Sequence, residues 1–473
     1  MGVLGVLAVA PAFAALAEPI PTAIREAAAA GGTPEVIVVF DDAAIEAEAV
    51  GMRAQSGSDK DTPAILAVKE TRYRDLRRKV FATLPAGGSD VLTEFSHLPI
   101  AFLRLNSRAA LDGLAADSSV RGIHENRLKY PVLDSQSATL VNAPQAATAG
   151  LTGSGTDVMI IDTGADYTVA DLGSCSAAGV PATCHVVVAD AVDALGNVVA
   201  DSLAPTSTSN AHGTNVAAII AGIAPGTKII VMNVFGTTNS ASDVQIIAAI
   251  NWAIAHQATD HIKAINMSLG DGVLNTAACN TGNPYVTAAA NARSAGITTV
   301  AAAGNNGYTN GISSPACTPG VVSVGAVYSG NFGGIGWGIC TDTTTAADKV
   351  TCFSNSASFL TLLAPGALIT AGGLQYGGTS QATPFITGAA AVLRAAFPTE
   401  TADQAVARMT GHGKSVIDVR NAIAKPRLDL YAAAGLGGTV SNTSGDVPAL
   451  PEWATLMLMT AMLGATMRHR ART

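Results

Sequence analysis

In the middle of the chain, apolar residues come in short unbroken runs. Residues 158–161, 229–234, 264–268 and 298–302 are runs of this kind. Their length and continuity predict strands buried on both faces. Between them, residues 243–256 and 285–294 carry apolar positions at helical spacing, with Ser242 or Asp243 placed as an N-cap. Short buried strands alternating with helices predict an α/β domain with a mostly parallel sheet and helices on both faces, a three-layer arrangement. In such sheets functional groups gather at the carboxyl ends of strands.

The flanks have a different texture. The chain begins with the apolar stretch MGVLGVLAVAPAFAALAEP, in which Ala12-Phe13-Ala14 and Ala15-Leu16-Ala17 are small-residue sites suited to leader cleavage. This predicts a signal peptide over 1–17, although no Lys or Arg precedes the apolar run. Residues 18–135 are more mixed. Segment 34–40 reads as a strand, the charge-dense 69–79 as a helix, and 98–105 as another strand. From about 150 charge thins out, so the main domain is expected over 136–436. At the end, a polar linker at 441–446 leads to Val447-Pro448-Ala449-Leu450-Pro451-Glu452-Trp453. An apolar run at 454–467 and a basic close with Arg468, Arg470 and Arg472 follow. That run is shorter than the ~20 residues of a comfortable membrane span.

Composition narrows the function classes. Hydrophobic residues make up 48% and charged residues 13%, enough to build a large core and too little charge for global disorder. The formal net charge of −8 argues against nucleic acid or an anionic membrane as the main partner. The six cysteines, Cys175, Cys184, Cys279, Cys317, Cys340 and Cys352, show no C-x-x-C spacing. A zinc or redox-dithiol site is therefore not indicated. Export would favour disulfides, whereas free buried thiols are the alternative.

Four polar residues stand in contexts that suit acyl transfer. Such chemistry needs a nucleophile, a base to take its proton, an acid to orient the base, and donors for the oxyanion. Ser380 follows Gly377-Gly378-Thr379 and precedes an apolar helical stretch. It is thus expected at a helix N-terminus, with Pro384 near the first turn. His212 opens another apolar helical run that continues to Ala221, with Gly222 at its end. Asp162 directly follows the strand 158–161. Asn305, in AAAGNNG, follows another strand and offers an amide donor. Each has an ordinary structural alternative: a helix cap, a core histidine, or a turn residue.

Taken together, IDTG, HGTNVA, NMSLG, AAAGNNG and GGTSQATP resemble the motifs of the subtilases, the family of subtilisin-like serine peptidases, over residues 150–430. The resemblance implies Asp162 as orienting acid, His212 as general base then acid, Ser380 as nucleophile and Asn305 in the oxyanion hole. It also implies that Ser268, Leu269 and Gly270, with Ala302, Ala303 and Gly304, line the pocket for the side chain before the cut. Small apolar linings there predict tolerance of apolar or aromatic side chains. Residues 18–135 resemble an inhibitory propeptide of α+β type with its linker, cut between about Glu125 and Gln145. Disulfides 175–184, 279–317 and 340–352 are expected on this likeness and on loop length. The tail at 437–473 resembles bacterial sorting signals of the IPTL/PEP type, read by a membrane peptidase. The chain is thus expected to be exported across a bacterial inner membrane, to act on proteins or peptides as a monomer, and to require no cofactor. Calcium is left open as a structural ion, since many subtilases bind it. There are departures: Gln381 stands where the family usually has Met, and Val169-Ala170 where many members have His-Pro. A non-catalytic surface protein built on the same scaffold is the reading from another class. A sedolisin-type acid peptidase would need Glu for His212 and Asp for Asn305.

Overall fold

The computed structural model describes residues 20–126, 128–131 and 138–436. The expected leader at 1–17 and sorting segment at 437–473 lie outside the described residues, as do 132–135 of the expected linker. The chain first forms α1 (Thr22–Ala29), β1 (Glu35–Phe40), α2 (Ala43–Ser56), α3 (Pro63–Phe81), β2 (Ser89–Glu94), β3 (Ile100–Leu105), α4 (Arg108–Ala116) and β4 (Val120–Glu125). These strands make one antiparallel sheet in the order β2-β3-β1-β4. Alternation along β1 decides what each face meets. Val36, Val38 and Phe40 turn toward Ile24 of α1 and toward Ala110 and Leu114 of α4. Ile37 and Val39, with Ile100 and Phe102 of β3, turn the other way.

A short strand, β5 (Leu128–Pro131), follows. The remaining elements are α5 (Ala143–Thr148), β6 (Asp157–Asp162), β7 (Val186–Val192), β8 (Val198–Ala200), α6 (Ala211–Ile223), β9 (Lys228–Asn233), β10 (Ala241–Ser242), α7 (Asp243–His256), β11 (Ile262–Met267), β12 (Leu269–Gly270), α8 (Tyr285–Ser294), β13 (Thr298–Ala302), β14 (Val322–Val327), β15 (Ile335–Gly336), β16 (Thr341–Asp342), β17 (Leu362–Pro365), β18 (Ile369–Ala371), β19 (Leu374–Tyr376), α9 (Thr379–Ala396), α10 (Ala402–Gly411), β20 (Lys414–Asp418), β21 (Ile423–Arg427) and α11 (Leu430–Ala433). Among the described residues, ten strands join in the order β20-β21-β17-β14-β13-β11-β6-β9-β7-β8. From β21 to β7 every neighbour is parallel, and only the two edges, β20 and β8, run antiparallel. This is the expected α/β architecture.

The same alternation builds its layers. Val158 and Ile160 of β6 pack with Val216 and Ile220 of α6 and Ile386 and Ala390 of α9. Met159 and Ile161 point to the opposite face, with Ile247 and Ile250 of α7 and Ala288 and Ala292 of α8. The outer side of α7 and α8 is not left to solvent. Ile37, Val39, Ile100, Phe102, Phe95 and Leu98 from the N-terminal sheet belong to the same apolar cluster. Burying each such side chain fully contributes ~1.5–3 kcal/mol. The N-terminal module therefore seats its bare sheet face on these two helices. Cross-links tie down loops of the main domain: Cys175 to Cys184, Cys279 to Cys317, and Cys340 to Cys352. Among the described residues, no helix is long and apolar enough to cross a membrane.

Candidate active site

Asp162 is the last residue of β6, the strand from which the sheet order runs to β9 on one side and β11 on the other. Such a switch point leaves a crevice at the carboxyl ends. The carboxylate is 1% exposed. Its Oδ1 accepts from the Thr163 amide at 2.7 Å and lies 2.7 Å from His212 Nδ1. A carboxylate can only accept, so Nδ1 carries the proton and Nε2 is left as the basic nitrogen. His212 is the second residue of α6 and is buried. Gly213 brings its helix close: a Cβ there would collide with the Gly164 carbonyl oxygen, and its amide donates to Thr163 Oγ1 at 3.0 Å. Only glycine permits this approach.

Ser380 is the second residue of α9, fully buried. Pro384 lies inside that helix rather than near its first turn. Having no N–H, it cannot bond the carbonyl four residues back, which is that of Ser380. The freed carbonyl accepts from Ser268 Oγ at 2.7 Å. In return, Ser380 Oγ donates to the Ser268 carbonyl at 3.1 Å. Among the described residues the serine hydroxyl thus bonds Ser268, not the His212 imidazole. Catalytic hydrogen bonds are often looser without substrate.

Asn305 follows β13 and Gly304. Its Oδ1 accepts from the amide and from the hydroxyl of Thr379, each at 2.8 Å. That fixes the amide orientation and leaves Nδ2 as a buried donor with no partner among the described residues. A buried donor left unpaired costs free energy unless something negative arrives to meet it. Beside the residue preceding Ser380, it suits an oxyanion.

The expected linings converge as well. Ser268 precedes β12, which contains Leu269 and Gly270, and Ala302 ends β13, with Ala303 and Gly304 next. Two residues without a sequence signal sit between these segments. Ser313 donates its amide to the Ala303 carbonyl at 2.9 Å, and Asn355 donates Nδ2 to the same carbonyl at 3.1 Å. A Cβ on Gly304 would lie 2.6 Å from Ser313 Oγ, and one on Gly270 would lie 3.4 Å from Ser313 Cβ. Ser313 therefore closes the space between the linings: a side chain on Gly304 would crowd it, and one on Gly270 would come into contact with it.

Strand β5 lies in the same region. It pairs antiparallel with β10, Leu128 opposite Ser242, and with β12, Tyr130 opposite Gly270 and Pro131 opposite Leu269. Just before it, Asn126 Oδ1 accepts from the Val244 amide at 3.0 Å in the first turn of α7. The chain's own segment thus adds a strand between two edges, as an extended peptide would. Among the described residues, no three His, Cys, Asp or Glu side chains converge so as to hold a metal ion.

Comparison with known proteins agrees in extent with this domain. Residues 153–425 match the profile of the Subtilase family. Subtilisin E of Bacillus subtilis (strain 168) is 29% identical over 402 residues, covering 78% of this chain and 93% of its own. Subtilisin of Bacillus pumilus is 31% identical over 309 residues, covering 60% of this chain and 96% of its own. An extracellular serine proteinase of a Thermus strain is 33% identical over 235 residues, 47% of this chain and 50% of its own.

Proposed function

Since this chain belongs to the subtilase family and is at that level a serine protease, we propose that it is a secreted endopeptidase made as a self-processing precursor. In this reading Ser380 attacks the scissile carbonyl, and His212 takes its proton through Nε2 and then returns it to the leaving amine. Asp162 holds the imidazole in the required tautomer and stabilises the imidazolium. The Ser380 amide and Asn305 Nδ2 receive the oxyanion, and water then resolves the acyl-enzyme. The observation that carries this reading is the buried 2.7 Å bond between Asp162 Oδ1 and His212 Nδ1 at the carboxyl end of a central parallel strand.

The N-terminal module is the proposed inhibitory propeptide. Support comes from β5, which occupies the two edges that an extended substrate would pair with. Strand β5 reaches Pro131 opposite Leu269, the neighbour of Ser268, so the maturation cut is proposed shortly after Pro131, inside the 125–145 interval. The leader, the sorting tail with its membrane peptidase, and a transient membrane association remain part of the proposal on sequence grounds. The substrates are proteins or peptides with an apolar or aromatic side chain before the cut.

The decisive experiment treats the purified precursor and its Ser380→Ala variant with a fluorophosphonate probe. Label and a drop in mass are expected only with Ser380 present, and N-terminal sequencing should find the new end just after Pro131. Absence of label in both, with folded and propeptide-free protein, would favour the non-catalytic scaffold.

A further inference from the structure

Two buried amides join the elements that carry Ser380 and His212, and the catalytic steps above use neither. Asn215 stands three residues after His212 on α6, one turn along the same face. Gln381 directly follows Ser380 on α9. Both are 0% exposed. Gln381 Nε2 donates to Asn215 Oδ1 at 3.1 Å. Asn215 Nδ2 donates to the carbonyls of Ala371, at 3.0 Å, and Leu374, at 3.2 Å. Those carbonyls belong to the hairpin of β18 and β19, which ends in Tyr376, whose ring centroid is 6.4 Å from that of His212. One asparagine thus bonds to the helix of the nucleophile and to the hairpin beside the base, from its own place on the helix of the base.

An apolar pair would fill this interior without desolvating polar groups, and buried amides are tolerated only where their bonds are met. Here one acceptor is not met: Gln381 Oε1 is buried and unpartnered among the described residues. The bridge therefore retains a cost that simple packing would avoid. What it fixes is the separation of α6 from α9 at the end where His212 and Ser380 stand.

We propose that Asn215 and Gln381 are positioning residues, a buried amide bridge that sets the reach from the His212 imidazole to the Ser380 hydroxyl. This rests on the serine-protease reading of the same site. Near-attack geometry is steeply sensitive to placement, with an error of about 1 Å costing on the order of 10²-fold in rate.

The test uses the full-length chain and its Gln381→Met, Asn215→Leu and doubly substituted variants after maturation. Active-site titration sets the concentration, so that unfolded protein does not count. The rate of fluorophosphonate labelling against pH, and kcat and KM on a peptide substrate, are then read per titrated site. Each single variant is expected to label about 10–100-fold more slowly and to lose kcat in proportion, with KM held within about twofold. The midpoint of the acidic limb should move, because His212 sits differently. The double variant should be no worse than the worse single, as for two groups that act as one unit. Gln381→Met leaves both hairpin bonds of Asn215 intact, so it carries the test alone if Asn215→Leu does not fold. Labelling at the wild-type rate in the variants, or losses that multiply in the double, would overturn the bridge while the protease reading stands. A wild type that takes no label would overturn both.

Discussion

At the scale of single residues, Asn305 separates two roles that one amide can hold. Its oxygen is committed to Thr379, and its nitrogen, buried and unpartnered among the described residues, is the proposed oxyanion donor. Asn305→Asp preserves the accepting side and replaces the donor with an acceptor. Removing an oxyanion donor costs about 10²–10³-fold in kcat, a figure that comes from subtilisin itself. The expected outcome is a fall in kcat of at least about 10²-fold with KM nearly unchanged, measured by active-site-titrated hydrolysis. The positions of Asp162, His212, Ser380 and Asn305 were legible because each sits at a strand end or helix start, where the signal is local. Ser313 and Asn355 were not. They reach the Ala303 carbonyl through loops that close only in three dimensions, and no periodicity records such a meeting. The bond between Gln381 and Asn215 was invisible for the same reason. Only half of it, the unusual Gln after the serine, could be noticed in the sequence.

At the scale of elements, α3 shows how a pattern can be read correctly and placed incompletely. Its charge density marks a helix but does not reveal that Lys69, Tyr73 and Arg77 turn inward. Lys69 bonds Asp61 at 2.9 Å, and Arg77 bonds Glu94 Oε2 and the carbonyls of Phe95 and Leu98. These partners come from other segments, so the cations can be buried without being left unpaired. Tyr73 does more than pack: its hydroxyl, held protonated by burial, donates to Asn291 Oδ1 on α8 at 2.9 Å, across the boundary with the main domain. Tyr73→Phe leaves that oxygen without this donor, at a cost of about 1 kcal/mol. Release of the N-terminal module after the proposed cut should then quicken by about 5-fold, seen as a shorter lag before activity. An unchanged lag would mean that the apolar sheet face alone holds the module. The helices α7 and α8, by contrast, were fully legible over 243–256 and 285–294, since each shows the sheet an unbroken apolar side.

At the scale of the whole molecule, two ionisable groups sit at the end of the sheet opposite the site. Burial pushes the Asp157 carboxyl up to about 6, with His261 opposing and Asp260 reinforcing the shift. The folded chain therefore holds this proton more tightly than the unfolded chain does. The resulting stability is present at low pH and is lost as pH rises from about 4 through about 6. Lys263 behaves in the opposite sense. Burial, with the charges of Lys60 and Arg394, pushes it down to about 8. The folded chain sheds that proton first, so stability recovers as pH rises from about 8 toward 10. In the Ser380→Ala precursor, which removes the proposed self-digestion, Asp157→Asn should raise the melting temperature at pH 7, and the gap should close toward pH 4. An equal gap at both values would remove Asp157 as the cause.

The order of the main sheet has a consequence in time. Its central strand, β6, is the first of that sheet to be made, whereas α9 comes after most of the strands it packs on. Domains made early in a chain can fold while the rest is still being synthesised. The N-terminal sheet has all four of its strands by Glu125, so it precedes every part of the surface it will cover. Asp162 and His212 emerge next, into a domain that still lacks both its proposed nucleophile and the helix that fills its centre. No partial length of this polypeptide short of α9 can hold the whole proposed site, and by the time Ser380 arrives, the module that covers α7 and α8 and leads into β5 has long been complete.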